Sequence, residues 1–277
     1  MDTFIEKLDR ITNKKRSFLC VGLDPDPERM PISDLFEFNK SIVDATIDLV
    51  TAYKPNLAFY EALGLKGLDE LSRTIDYIRK LSSDVLIIGD GKRGDVGHTS
   101  EMYAKALFTK WQFDAATVNA YAGLDSIDPF LSHKDKGVFI WCRSSNPGAR
   151  ELQDLKVSDG SHQKPLYEYM ASHYYRHNRN GNMGLVVGAT YGKETKILRA
   201  ACPDIPFLLP GVGAQKGDMK EALLSGIDQY GRRLLINSSR SIIYASSGLD
   251  FAEAARTKVL DFNKTVDFNL DRLGKGW

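Results

Sequence analysis

Short, almost uninterrupted runs of apolar residues alternate along this chain with longer segments in which apolar residues recur every three or four positions. The short runs are rich in β-branched and aromatic residues. Continuous apolar character of this kind is typical of parallel strands that are covered by helices. The pattern predicts eight strands, at Phe18–Asp24, Ala52–Ala58, Val85–Asp90, Ala115–Asn119, Val138–Ser144, Leu185–Thr190, Phe207–Val212 and Leu234–Ser239.

The segments between these runs carry the periodicity of helices that bury one face against a sheet. The clearest apolar stripes are Leu35, Phe38, Ile42, Ala45 and Leu49; Leu68, Leu71, Ile75 and Ile78; and Ala255, Val259, Phe262, Val266 and Leu270. Predicted strands and helices alternate about eight times along the chain, which is the number expected for a (β/α)8 TIM barrel. The alternative is a doubly wound open sheet. That fold usually has fewer strands, and no G-x-G-x-x-G motif follows the first strand here.

One long polar segment, from Asn146 to Gly181, interrupts this rhythm after the fifth strand. Its second half, from Leu166 to His177, predicts a helix. Its first half reads as an extended loop at the carboxyl end of the strand, where active-site loops are common. The chain has no linker, repeat or low-complexity region. We therefore expect one domain over residues 1–277, with an N-terminal helix and an insertion at about residues 146–181.

Length, charge and cysteine content narrow the class of protein. A chain of 277 residues with 43% hydrophobic composition is long enough for one barrel. Its 37 Lys and Arg nearly balance its 36 Asp and Glu, so we expect no nucleic-acid or membrane partner. The N-terminus lacks the apolar stretch of a signal peptide, and no run has the roughly 20 apolar residues of a membrane span.

The cysteines indicate a reduced, cytoplasmic setting. Cys20, Cys142 and Cys202 are odd in number and widely spaced, which argues against a disulfide framework and against a zinc cluster. Cys20 and Cys142 lie in apolar runs, where we expect them to be small core residues.

Candidate chemistry lies where the predicted strands end, because a parallel barrel builds its active site on the rim formed by the carboxyl ends of its strands. The polar residues at these ends are Asp24 (strand one), Lys54 (two), Asp90, Lys92 and Asp95 (three), Asn119 (four), Arg143, Ser144 and Ser145 (five), and Ser238, Ser239 and Arg240 (eight).

The densest of these groups is Asp90, Lys92 and Asp95, with Lys54 on the neighbouring strand. Asp90 and Lys92 are two apart on an extended chain and should face the same way. Alternating charges would keep all four groups ionised, by lowering the pKa of the carboxyls and raising that of the lysines. An ionised aspartate can repel a substrate carboxylate, and a charged lysine can donate a proton. The alternative is a set of structural salt bridges. The apolar run before Asp90 and the position of these residues at the rim favour a functional role over structural salt bridges.

A second group predicts a phosphate site after strands seven and eight, which is a frequent phosphate position in these barrels. Gly211 and Gly213 would let backbone N–H groups approach an anion, and the helix after Lys216 would point its N-terminus at it. Arg240 could add bidentate hydrogen bonds. Alternatively, the two glycines form only an ordinary turn, and Arg240 is only a charged surface residue.

The histidines give no convincing metal site. His98 adjoins the Asp/Lys group, where a metal-ligand role is conceivable. His173 and His177 are four residues apart, but no Glu follows His173 to complete H-E-x-x-H. We expect no metal.

Several segments, taken together, resemble one family. They are FLCVGLDPDP, AYKPNLAFYEALG, IIGDGKRGDVGHTS, TVNAYAGLDSI, LVVGAT and LLPGVGAQ. The chain resembles orotidine 5′-phosphate decarboxylases, in particular their longer bacterial-type branch. The resemblance implies decarboxylation of orotidine 5′-monophosphate to UMP in de novo pyrimidine biosynthesis, by a homodimer that uses no metal or organic cofactor. Related barrels that act on sugar phosphates share D-x-K-x-x-D, so that motif alone does not settle the substrate.

The resemblance also implies catalytic roles. Lys92 would give a proton to C6 of the pyrimidine, and Asp90 would crowd the substrate carboxylate. Lys54 would complete the network and contact the ribose. Asp95 and Thr99 would come from the second subunit and reach the neighbour's ribose.

The remaining implied contacts bind the substrate. Asp24 would bind the ribose, and either Ser144 or Ser145 would read the pyrimidine edge. Gln215 and Arg240 would hold the phosphate. Asn119, Gly211 and Gly213 complete the predicted set. Two positions depart from the commonest pattern of the family: Val96 replaces a more usual isoleucine, and Ser239, beside Arg240, replaces a more usual glycine.

Three rival functions use parts of the same pattern. A sugar-phosphate decarboxylase or aldolase would need Mg²⁺ beside an enediolate. An aldolase could instead form a Schiff base on a lysine. A non-catalytic barrel that binds UMP-like ligands would keep Arg240 and the glycines, but it has no need for the two lysines and two aspartates.

Overall fold

Eight parallel strands close into a barrel in this computed structural model, which describes residues 2–158, 160, 163–211 and 219–277. The order around the barrel is β1-β10-β9-β8-β5-β4-β3-β2, so each strand pairs with its successor and the last pairs with the first. The barrel strands are β1 (Leu19–Leu23), β2 (Ala52–Pro55), β3 (Leu86–Arg93), β4 (Ala115–Val118), β5 (Gly137–Arg143), β8 (Met183–Val187), β9 (Phe207–Pro210) and β10 (Leu234–Ser238). The predicted (β/α)8 TIM barrel is confirmed.

Helices fill the connections between strands and carry the apolar stripes that the sequence predicts. They are α1 (Phe4–Lys15), α2 (Leu35–Thr46), α3 (Leu57–Glu61), α4 (Gly64–Leu81), α5 (Gly97–Ala104), α6 (Asp128–Leu131), α7 (Ala149–Gln153), α8 (Leu166–Tyr175), α9 (Gly192–Ala201), α10 (Met219–Gly226), α11 (Arg240–Ile243) and α12 (Phe251–Arg272). A π-helical turn at Lys105–Lys110 extends α5, and a 3-10 turn lies at Leu124–Ser126.

The barrel has two apolar layers because successive strand residues point to opposite faces. In β3, for example, Ile87 packs outward against the helices, whereas Leu86 and Ile88 fill the interior. Cys20 belongs to the interior layer and Cys142 to the outer layer, and all three cysteines are buried and unpaired. The core positions that the sequence predicts for Cys20 and Cys142 are thus confirmed.

The N-terminal helix α1 plugs the amino-terminal mouth of the barrel. Thr3 and Glu6 form a reciprocal capping box that starts the helix. Its apolar face, which includes Phe4 and Leu8, belongs to the interior core. The Phe4 ring packs edge-on against Phe139, and it occupies the space that a side chain at Gly137 would need. The closed lower end leaves the opposite rim as the open end of the barrel.

Some element boundaries differ from the prediction. The second strand ends at Pro55 rather than Ala58, because Asn56 caps α3 by accepting a hydrogen bond from the Ala58 N–H. The sixth barrel strand is Met183–Val187 rather than Leu185–Thr190.

The first half of the insertion is not an extended loop. It forms the short helix α7 and an antiparallel hairpin of β6 (Lys156–Ser158) and β7 (Gln163–Pro165). The hairpin has few apolar side chains, so its strands lack the alternation by which a strand is recognised. The helix predicted in the second half is present as α8. Among the described residues, no helix is both long and apolar enough to cross a membrane.

Candidate active site

The polar residues of the site are the uppermost inward-facing residues of the barrel strands. Ala52 lies in the interior core, so Lys54, two residues on, also faces inward. By the same alternation, Asp90 faces inward on β3 because Ile88 does, and Thr117 faces inward on β4 because Ala115 does. One polar layer therefore lies directly on top of the apolar interior.

A carboxylate between two lysines forms the centre of this layer. Asp90 Oδ2 accepts a hydrogen bond from Lys54 Nζ at 2.5 Å, and Asp90 Oδ1 accepts one from Lys92 Nζ at 2.7 Å. Lys54 and Asp90 are buried, whereas the Lys92 side chain is 35% exposed. Lys92 is thus the member of the array whose ammonium group is open to a ligand.

Burial and charge act in opposite directions on this array. Burial favours the neutral form of Asp90, but the positive charges of Lys54 and Lys92 outweigh it and hold the pKa of Asp90 well below its usual range. For Lys54, burial lowers the pKa, whereas the negative charges of Asp90 and Asp24 raise it above its usual value. Asp90 is therefore a buried, ionised carboxylate at neutral pH, and Lys54 is its buried cationic partner.

The backbone at Lys92 adopts the left-handed conformation, with φ of 45°. The pairing of β3 with β4 shifts register between Gly89 and Arg93. Lys92 is therefore not part of a regular extended chain, and its side chain meets Asp90 through an irregular bend. A lysine in this conformation costs roughly 1–2 kcal/mol. Such strain is commonly found at functional sites.

A cavity of about 180 Å³ opens above the array. Its polar walls include both lysines of the array, Asp90, Ser144 and Ser145, and its apolar walls come from the later strands. The other lining residues are Thr117, Trp141, Arg143, Val186, Leu208 and Pro210. Charged groups at one end and apolar surface at the other suit a ligand with a flat ring and an anionic substituent.

The insertion is tied to the edge of this cavity through Arg143. The guanidinium of Arg143 is fully buried, donates to Gln153 Oε1 at 3.3 Å and forms an ion pair with Asp154 at 2.9 Å. It packs over the rings of Tyr167 and Tyr191. Gln153 Oε1 also accepts from the Ser144 N–H at 3.0 Å. The position of Ser144 therefore depends on α7.

The predicted ribose and pyrimidine contacts line the same rim. Asp24 follows β1, and its buried Oδ1 has no hydrogen-bond partner among the described residues. Asn119 follows β4 and, together with Ser144, lines a neighbouring, more apolar cavity of about 330 Å³ beneath the insertion. Ser145 lines the central cavity beside Ser144, so both serines are placed to reach a ring there.

Only part of the predicted phosphate group lies within the described residues. Gly211 directly follows β9 and has φ of 102°, a conformation that favours glycine. Arg240 is exposed at the first residue of α11, after β10. Gly213, Gln215 and the start of the helix predicted after Lys216 lie outside the described residues; α10 is described from Met219.

The model of the orotidine 5′-phosphate decarboxylase / HUMPS family matches residues 17–256. The chain belongs to this family. Curated relatives named orotidine 5′-phosphate decarboxylase include one from Dehalococcoides mccartyi strain CBDB1, 46% identical over 253 residues, with 91% of this chain and 93% of the relative covered. Another, from Cupriavidus metallidurans, is 44% identical over 272 residues, with 96% and 98% covered. The OMP decarboxylase structure from Leishmania donovani has a TM-score of 0.81, 35% identity, and coverage of 95% of this chain and 100% of that one.

One residue of the family motif stands apart from the array. The sequence predicts that Asp95 joins Asp90 and the two lysines in one network, but among the described residues its exposed carboxylate accepts a hydrogen bond only from the Val96 N–H. Ser100 braces the Asp95 backbone by accepting from its N–H and donating to its carbonyl. Thr99 is half-buried on α5. Asp95 and Thr99 follow β3, and neither lines the central cavity.

Sequence patterns do not single out Thr117 and Trp141, which line the central cavity, or Gln153, which contacts Ser144 at its edge. Thr117 and Trp141 occupy the inward-facing positions of β4 and β5, so the alternation within each strand was the available signal. Gln153 lies ten residues beyond Arg143 in a segment for which the sequence predicts an extended loop, and no local pattern indicates its contact with Ser144.

His98, His173 and His177 do not line the central cavity. His98 is exposed and pairs with Glu101 on α5. The rings of His173 and His177 contact each other at a tilted angle near the C-terminal end of α8, and His177 Nδ1 contacts the His173 carbonyl. The described residues contain no group of three or more His, Cys, Asp or Glu side chains that could hold a metal ion.

Proposed function

We propose that this protein removes carbon dioxide from orotidine 5′-monophosphate to give UMP, the decarboxylation step of pyrimidine biosynthesis. The observation that carries the proposal is the Lys54–Asp90–Lys92 array, which lines the central cavity of about 180 Å³. The names of the relatives and the family match support this substrate.

The chemistry needs a cation placed at the carbon that loses its carboxylate. When the C6–carboxylate bond breaks, carbon dioxide leaves and the electron pair stays on C6. The ammonium of Lys92 stabilises this charge and transfers a proton to C6, and the lysine then regains a proton from solvent. In the proposed reaction, side chains of the protein alone stabilise the negative charge on C6, and no metal or organic cofactor is used.

Asp90 makes the ground state less favourable without taking part in bond formation. Its carboxylate stays ionised between two lysines, so a substrate carboxylate placed above Lys92 meets a second negative charge. This repulsion disappears once neutral carbon dioxide has formed. The array therefore favours the transition state over the bound substrate.

The remaining predicted contacts would hold the nucleotide. Asp24 has a free acceptor oxygen for a ribose hydroxyl. Ser144 or Ser145 would read the pyrimidine. Gly211 and Arg240, with Gly213 and Gln215, would bind the phosphate, and Asn119 lies between these groups and the insertion. Binding energy from the phosphate can be used at the distant reacting carbon.

We also propose a homodimer in which Asp95 and Thr99 complete the partner's site. Supporting this, large apolar side chains are exposed after three neighbouring strands: Leu65 after β2, Val96 after β3 and Tyr121 after β4. Exposed apolar side chains that follow neighbouring strands at the same rim suit a protein interface. Asp95 is adjacent in sequence to the exposed Val96, which would bring its carboxylate towards a second copy.

A single-domain chain in the cytoplasm fits this assignment. The helix α1 packs into the barrel as part of the same core. Three buried, unpaired thiols suit a reducing compartment.

The rival within the family is a sugar-phosphate enzyme that needs Mg²⁺. The test is a spectrophotometric assay of orotidine 5′-monophosphate loss with EDTA present and no cofactor added. Conversion to UMP supports the proposal. A folded protein that leaves the nucleotide intact, but converts a sugar phosphate when Mg²⁺ is supplied, overturns it. Trapping with borohydride and a substrate would reveal a Schiff-base lysine.

A further inference from the structure

Thr117 joins the two central residues of the charged array through one hydroxyl group. It lies on β4, next to β3, and is buried at the floor of the cavity. Its Oγ1 donates to Asp90 Oδ1 at 2.8 Å. The same oxygen accepts from the backbone N–H of Lys92 at 3.0 Å. Thr117 thus contacts Asp90 by its side chain and Lys92 by its main chain.

The Thr117 hydroxyl takes the place of a backbone hydrogen bond that Lys92 would otherwise make to β4. The register of β3 against β4 shifts between Gly89 and Arg93, so the Lys92 N–H bonds to a side chain rather than to a carbonyl of β4. A buried N–H without a partner is costly, and left-handed lysine conformations persist only where their surroundings hold them. The Thr117 oxygen therefore helps to hold the bend that aims the Lys92 side chain.

The hydrogen bonds around Asp90 favour its ionised form. Thr117 Oγ1, which accepts from the Lys92 N–H, donates its own proton to Asp90 Oδ1. That oxygen also receives a proton from Lys92 Nζ, and Oδ2 receives one from Lys54. All three groups around the carboxylate are donors, which is an arrangement that only the ionised form satisfies.

We propose that Thr117 is a positioning residue for the decarboxylation: it sets the backbone turn at Lys92 and the orientation of the Asp90 carboxylate. This role rests on the proposed function. Thr117 acts through these two residues and exchanges no proton with the substrate. Small displacements of a catalytic group can cost about a hundredfold in rate, so losing the hydroxyl should lower turnover much more than substrate affinity.

The test compares Thr117→Val, which keeps the shape and removes the hydroxyl, with Thr117→Ser, which keeps the hydroxyl. The control is Thr12→Val in α1, because Thr12 is a buried threonine whose hydroxyl, among the residues that the structure describes, bonds only to carbonyls of its own helix. For each protein, kcat and KM for orotidine 5′-monophosphate are measured, along with exchange of the C6 hydrogen of UMP in deuterium oxide. Exchange reports directly on proton transfer between Lys92 and C6.

We expect Thr117→Val to lose about 10- to 100-fold in kcat and in C6 exchange, with KM within about threefold of wild type. Thr117→Ser should stay within about fivefold of wild type, and Thr12→Val should be unchanged in both readouts. If the valine variant does not fold, Thr117→Ala replaces it in the comparison with Thr117→Ser.

Three results would overturn the role. Equal losses for the serine and valine variants would indicate packing rather than the hydroxyl. A valine variant with full kcat would show that the hydroxyl is not needed, and a rise in KM alone would make Thr117 a substrate-binding residue. If wild type does not turn over the nucleotide, the proposed function fails, and this role with it.

Discussion

The ammonium group of Lys92 lies 2.7 Å from Oδ1 of Asp90, although one residue separates them and the backbone at Lys92 is left-handed. In a regular strand both side chains would stand side by side along the barrel wall. The bend at Lys92 brings its ammonium back to the carboxylate and leaves it partly open to the cavity. The barrel thus holds a strained residue at the point where the proposed reaction needs a cation.

The strain at Lys92 should be measurable in stability. Glycine adopts φ of 45° without the steric cost that a Cβ imposes. We expect Lys92→Gly to be more stable towards urea than Lys92→Ala by about 1 kcal/mol, because both variants lack the ammonium and differ only at Cβ. This reverses the usual order, in which glycine is the less stable. An alanine variant as stable as the glycine variant would show that the bend carries no strain.

The pKa of Asp90 predicts how stability depends on pH. Its folded-state pKa lies below the unfolded value of about 3.9, so its contribution is present above that pH and is lost as pH falls below it. Wild type should therefore lose stability below pH 4 more steeply than Asp90→Asn, by up to about 1.4 kcal/mol per pH unit. Urea unfolding at pH 5, 4 and 3 measures this difference. Parallel curves for the two proteins would mean that Asp90 is not an ionised, paired group.

The contact of Gln153 with Ser144 predicts that the insertion affects substrate binding. Gln153→Leu keeps the bulk and removes the acceptor for the Ser144 N–H and Arg143. We expect KM to rise about tenfold, equivalent to about 1.4 kcal/mol, and proteolysis between α7 and α8 to become faster. Glu151→Gln, on the exposed side of the same helix, is the matched control. Unchanged KM and proteolysis in Gln153→Leu would mean that the insertion is held by other contacts.

The proposed interface predicts a link between assembly and activity. Leu65→Glu places a charge at a side chain that is 87% exposed in the single chain. If Leu65 lies in a homodimer interface, the variant should be monomeric by light scattering and lose most activity, since Asp95 and Thr99 could not reach a partner. Tyr230→Glu is the control, because this exposed residue precedes β10 and so lies at the opposite end of the barrel. A fully active monomer would contradict the contribution of Asp95 in trans.

The sequence alone predicts the barrel and the charged residues at the bottom of the central cavity. Continuous apolar runs identified the strands, and their ends located Lys54, Asp90 and Lys92. Thr117 and Trp141 were missed although they follow the same alternation, because a single threonine or tryptophan in an apolar run resembles core. The bend at Lys92 was missed because it arises from the register of β3 against β4.

Contacts between distant segments could not be predicted. Gln153 contacts both Ser144 and Arg143, and Arg143 is in turn buried against the rings of Tyr167 and Tyr191, far along the chain. Asp95 was expected in the array because it follows Lys92 closely. The strand β3 ends at Arg93, however, and the Asp95 carboxylate is exposed and does not line the central cavity.

The central claim is that Lys92 delivers the proton to C6. Turnover of orotidine 5′-monophosphate by wild type and by Lys92→Ala, measured with EDTA present, tests it most directly. We expect wild type to form UMP, and the alanine variant to lose at least about four orders of magnitude in kcat while its circular dichroism is unchanged, because it lacks both the stabilising charge and the proton donor. An alanine variant with near-normal turnover would contradict the mechanism.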